Sequence, residues 1–109
     1  MSNVEVKNKT KWPGWNEDLV GRLKKSQKLR EHFMNDILEE GNFKDFLTAL
    51  RFVVEATGGV GKLSQKTGLG RQALYRSLTE QGNPGIATVE RILEGVGLKL
   101  GVHQANKVS

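Results

Sequence analysis

Val60-Gly61-Lys62-Leu63-Ser64-Gln65-Lys66-Thr67-Gly68-Leu69-Gly70-Arg71-Gln72-Ala73-Leu74-Tyr75-Arg76-Ser77-Leu78-Thr79 is the stretch that decides the fold. Leu63 and Thr67 stand one helical turn apart, and Leu74 and Leu78 repeat that spacing further on. Between them, small Ser64 sits where two crossing helices need close approach. Gly68 falls where a sharp turn demands a left-handed backbone, and Leu69 plugs the corner. Two short helices joined by a glycine turn of roughly three or four residues make a helix-turn-helix.

On the second helix, packing leaves Arg71, Gln72, Tyr75, Arg76 and Thr79 unused. Arginine pairs with guanine edges, and glutamine with adenine, in bidentate geometries open to a helix in the major groove. The first residues of such a helix enter the groove deepest, so Arg71, Gln72 and Tyr75 are candidate base or sugar-phosphate contacts. Arg76 is a candidate phosphate contact, and Thr79 closes the row. Lys62 and Lys66 on the first helix would straddle the backbone, with free N–H groups near Gly61 adding to the grip, and Gly70 before the second helix is a candidate DNA contact as well. Taken singly, each cation could equally be a solvated side chain. Their gathering on one motif favours DNA.

Upstream, Leu19 and Leu23 begin a helical pattern whose phase shifts near Lys24-Lys25-Ser26. Leu29, Phe33 and Ile37 then predict a helix over about 27–40, ended by Gly41. Asn42 is a good N-cap with Asp45 three residues later, and the Phe43–Val54 stripe predicts a second helix reaching about Thr57. Downstream, Gln81-Gly82-Asn83-Pro84-Gly85 is a turn. Thr88 is placed to cap a last helix carrying Val89, Ile92, Leu93 and Val96. Leu98, Leu100 and Val102 alternate with polar or small residues at the period of a strand. A lone strand cannot satisfy its own backbone, so a second subunit is its expected partner. Fold class is thus all-α: a bundle of about five helices with a short C-terminal strand, dimeric. The domain spans 17–103, between an N-terminal arm (1–16) and a tail (104–109). Trp12 and Trp15 interrupt the polar arm around Pro13-Gly14, and either fold back on the domain or form a docking epitope.

The chain has 109 residues, no cysteine and a formal charge of +5. One domain fits that length, and disulfides, thiolate zinc sites and cysteine nucleophiles are excluded. No secretory leader is evident and no apolar run approaches the roughly 20 residues of a membrane span, so the expected location is cytoplasmic. The charge is unevenly placed: net +5 over 1–30, −4 over 31–59, +3 over 60–80 and +1 thereafter. A basic block on a compact element is what phosphate binding requires.

Ala56-Thr57-Gly58-Gly59-Val60-Gly61-Lys62-Leu63 mimics a nucleotide-binding loop, but Leu63 stands where the magnesium-binding hydroxyl belongs and a helix, not a strand, leads in. His32 and Asp36 form only a helix-surface pair, and His103 has no evident partner. The expectation is a non-enzyme with no cofactor and no metal.

From about residue 18 to 102 the chain resembles the addiction-module antidote proteins, antitoxins with an Xre/Cro-type helix-turn-helix. The segments that carry the resemblance are Leu38-Glu39-Glu40-Gly41-Asn42, Phe46-Leu47-Thr48-Ala49-Leu50, Thr67-Gly68-Leu69, Ala73-Leu74-Tyr75-Arg76-Ser77-Leu78, Gly82-Asn83-Pro84 and Val96-Gly97-Leu98-Lys99-Leu100. The resemblance implies a dimeric antitoxin that represses its own operator and neutralises a small RelE/ParE-like toxin. Gly61 and Gly70 stand where the family usually places a polar helix cap, so hydroxyl contacts to phosphate do not carry over. Lys24, Lys25 and Lys28 make the region before Leu29 more basic than the family pattern. A phage or prophage regulator without a toxin, and a protein-interaction module that has lost DNA binding, are the competing readings. The toxin surface of an antitoxin would be the acidic 31–55 region or the tryptophan arm.

Overall fold

Ser26 explains the phase shift in the N-terminal pattern. Its extended backbone (φ −146°, ψ 117°) ends helix α1 (Glu17–Lys25), and its hydroxyl accepts the Leu29 N–H to open helix α2 (Gln27–Glu40). Asn16 caps α1 in the same way, through the Leu19 N–H. The structure is a computed structural model and describes residues 16–79 and 81–105.

Helix α3 (Phe43–Ala56) is the hub. Asn42 accepts the Asp45 N–H while the Asp45 carboxylate accepts the Asn42 N–H, a reciprocal capping box that fixes where α3 begins. Phe46, Leu47, Leu50, Val53 and Val54 along it are all buried. Helices α1 and α2 pack against α3 with Val20, Leu23 and Met34, and Phe33 and Ile37 lie half-buried beside them. On the other side come α4 (Gly59–Thr67), α5 (Arg71–Ser77) and α6 (Ile86–Gly95). They close the same core with Val60, Leu63, Leu74, Leu78, Val89, Ile92 and Leu93.

Six helices and no strand are found among the described residues. The expected C-terminal strand is absent. Gly97 turns the chain out of α6 in the left-handed region (φ +86°), and the Leu98 N–H bonds to Leu93 O at 2.8 Å. Leu98 and Leu100 then lie half-buried against the chain's own core, while Val102 is 96% exposed. The two-residue alternation is real, but it serves to seal a helical core from one side rather than to build a ladder. No strand pairing of residues 98–102 is found among the described residues.

Two boundaries also move. Helix α6 starts at Ile86 with Gly85 as its N-cap, so Thr88 lies inside the first turn and caps nothing. Helix α5 ends at Ser77, two residues short of Thr79. Trp12, Trp15, the arm through residue 15 and the tail from 106 lie outside the described residues.

The turn between α4 and α5 fits its expected chemistry. Gly68 is left-handed (φ +80°), its N–H bonds to Ser64 O at 2.9 Å, and the Ser64 hydroxyl donates to Leu69 O at 2.7 Å. A Cβ at Gly68 has ordinary space around it, so a substitution is penalised by backbone conformation alone. Gly68→Ala should cost about 1–2 kcal/mol, read as a melting temperature lower by roughly 4–8 °C per kcal/mol for a domain of this size.

Candidate nucleic-acid interface

A helix of seven residues has one face to bury and one to show. In α5 the buried face is Leu74, joined by Leu78 at its C-cap, both fully inaccessible. Arg71, Gln72, Tyr75 and Arg76 are exposed on the remainder. Tyr75, which makes further contacts of its own, is the largest apolar surface in this row. Thr79 is exposed too but sits beyond the helix, where its hydroxyl donates to Arg76 O at 3.0 Å.

The first turns of α4 and α5 meet through Arg71. A Cβ built at Gly61 would come within 3.1 Å of Arg71 Nη2, so the guanidinium lies across that glycine. Gly61 is therefore not the helix cap: the cap is Gly58, and α4 begins at Gly59. Gly70 does cap α5, and neither cap supplies a side-chain hydrogen bond. Their first-turn N–H groups thus carry the positive end of each helix dipole without a side-chain partner at the cap. Lys62 is exposed, its stem lying over Gly58, and Lys66 is exposed one turn on. The segment Ala56–Leu63 is a helix end, a glycine turn and a helix start, with no strand leading into it.

Three arginines that pattern reading passed over close helix ends, two of them at α4 and α5. Arg51 on α3 is only 2% exposed, the buried charge among the described residues. Its Nη1 donates to Leu78 O at 2.5 Å and its Nη2 to Thr48 Oγ1 at 3.1 Å. A cation thereby sits at the negative end of α5, where the helix dipole favours it. Arg91 on α6 does the same for α4, its Nη2 donating to Thr67 O. Arg30 on α2 donates to Leu23 O at 2.6 Å, closing the end of α1. Partners 27 and 24 residues away in sequence leave no periodic trace, so no local signal pointed to Arg51 or Arg91.

Gly82 completes the frame. A Cβ there would collide with the Arg76 and Ser77 carbonyl oxygens, which pins the turn that follows α5 against its end.

Comparison with known proteins places this geometry. A family model described as "Probable addiction module antidote protein" matches residues 16–104, most of the chain. The chain belongs to that family. An uncharacterized protein of Haemophilus influenzae (strain Rd) is 32% identical to this antidote-family chain over 73 residues, covering 67% of this chain and 74% of the relative. No solved structure matches. Among the described residues no helix is long and apolar enough to cross a membrane, and no three His, Asp or Glu gather to hold a metal ion. The His32–Asp36 pair is 3.8 Å apart on the open face of α2.

In this antidote-family fold Arg51 is the buried charge that satisfies the carbonyl at the end of α5. Arg51→Leu should lose about 1–3 kcal/mol in urea denaturation, because the buried Leu78 carbonyl is left without this donor. Arg51→Lys should recover part of that loss, since a lysine reaches one acceptor but not two.

Proposed function

We propose that the chain is a sequence-specific DNA-binding antitoxin that represses its own operator and neutralises a RelE/ParE-like toxin. The observation that carries this reading is the division of α5: Leu74 and Leu78 wholly buried, and Arg71, Gln72, Tyr75 and Arg76 outward from one seven-residue helix. That array suits the major groove, with Arg71 and Gln72 reading bases and Arg76, Lys62 and Lys66 contacting phosphates. The protein acts by binding, not by catalysis. Family membership favours an antitoxin over a regulator that has no toxin partner.

Two copies would place two α5 helices about 34 Å apart in successive major grooves of a palindromic operator. The toxin is met on a separate surface, the exposed face of α2 that carries Glu31, Asp36, Glu39 and Glu40. A basic toxin is the chemistry complementary to that face.

Binding assays on duplexes selected from a random-sequence pool test the DNA reading. Arg71→Ala and Gln72→Ala should each cost about 1–3 kcal/mol and relax the preference at one base pair. Equal, weak binding of selected and scrambled duplexes by the folded wild type would overturn it. For the toxin surface, co-expression with the product of the adjoining reading frame is the measure. The double change Glu39→Lys with Glu40→Lys should abolish co-purification while DNA affinity stays within about twofold of wild type.

A further inference from the structure

A second basic surface lies beside the helix-turn-helix, where α1 meets α2 and the end of α3 meets the start of α4. It is an open groove of about 580 Å³ lined by Lys24, Arg30, Lys62 and Lys66, with Glu55 as its one carboxylate. Lys24 and Arg30 are far in sequence from Lys62 and Lys66, and the packing of α1 and α4 on α3 brings the two pairs together. Two main-chain acceptors near it are already engaged. Leu23 O accepts from Arg30 Nη1, and Gly97 O accepts from Gln27 Nε2 at 2.9 Å. Arg30 Nε, shielded from solvent, finds no acceptor among the described residues. Glu55 lies toward the first turn of α4, its Oε1 4.0 Å from where a Cβ of Gly59 would stand, and makes contacts of its own.

We infer that this groove takes backbone phosphate of the DNA flanking the bases read by α5, so that α1 and α2 form part of the DNA surface. The inference rests on the DNA-binding reading above and extends it to residues outside the helix-turn-helix. Contiguity is the first reason. Lys62 lines the groove, and its neighbour Gly61 lies under the Arg71 guanidinium at the start of α5, so the groove borders the base-reading face. The lining is the second. Among the described residues the exposed large apolar side chains are Leu38, Phe43, Tyr75, Ile86 and Val102, and none of these borders this groove. An acidic protein partner would want such an anchor at the centre of its footprint. A phosphate needs cations and donors, and the groove offers four cationic side chains against one carboxylate.

The test uses the full chain and a duplex that it selects from a random-sequence pool. The duplex is made in two lengths: one ending at the selected bases, the other carrying about half a helical turn of flank on each side. Lys24→Ala is the probe, and Lys28→Ala is the control, an exposed lysine on α2 that does not line the groove. Both sites are exposed, and unchanged melting temperatures will show that both variants fold. On the flanked duplex Lys24→Ala should weaken binding about threefold to tenfold and flatten the log-affinity against log-salt slope by about one. On the short duplex it should change nothing, and Lys28→Ala should match wild type on both. If Lys24→Ala and Lys28→Ala behave alike on the flanked duplex, the groove does not hold phosphate, although the DNA reading stands. If Lys24→Ala leaves both duplexes unaffected but loses a co-purifying protein, the groove belongs to that protein and the inference falls. If the folded wild type selects no duplex at all, the DNA reading falls and takes this inference with it.

Discussion

A seven-residue helix cannot hold itself together in water, and α5 is that short. Helix nucleation costs more than two turns of hydrogen bonds return, and Gly70 gives it no side-chain cap at the start. What keeps α5 helical is tertiary: Leu74 and Leu78 in the core and Arg51 on the Leu78 carbonyl. Arg51 can do this only because α3 is long, well capped and buried along most of its length. The capping box at Asn42 sets the register of α3, the register aims Arg51, and Arg51 fixes the end of the helix that carries Arg71 and Gln72. The exposed row is therefore only as well placed as the buried helix behind it.

Most of the helical frame was legible because each long helix writes its packing into a 3.6-residue period. The α2 and α3 boundaries and the Gly68 turn follow from caps and glycines that act locally. Thr88 misled because a threonine before an apolar run is a good cap, yet the chain leaves its Pro84-Gly85 turn already helical at Ile86. Residues 98–102 misled for a deeper reason. Alternation reports only that every second side chain is apolar, and a single pass along a helical core asks for the same alternation as a sheet. The distinguishing feature, a partner for the backbone, has no sequence signature.

Gly61 shows how a family departure can change meaning in three dimensions. As a missing cap it would be a small loss of helix stability. Lying inside α4 beneath Arg71, it is space that the guanidinium occupies. A Cβ there would stand 3.1 Å from Arg71 Nη2, so the guanidinium would have to give by a few tenths of an ångström. The glycine forgoes a cap hydroxyl and leaves room for an arginine to lie across it.

Charge blocks along the chain are not surfaces. The basic N-terminal block divides in the fold: Lys24 and Arg30 join Lys62 and Lys66 around one groove, while Lys25 and Lys28 do not line it. The acidic block divides as well, with Glu31, Asp36, Glu39 and Glu40 on open α2, Glu55 at the groove, and the basic Arg51 buried amid them. A long-range field depends on the sum, but a phosphate contact depends on which cations share a few ångströms. Helix packing on α3 decides that sharing, so the core that fixes α5 also determines which lysines stand beside it.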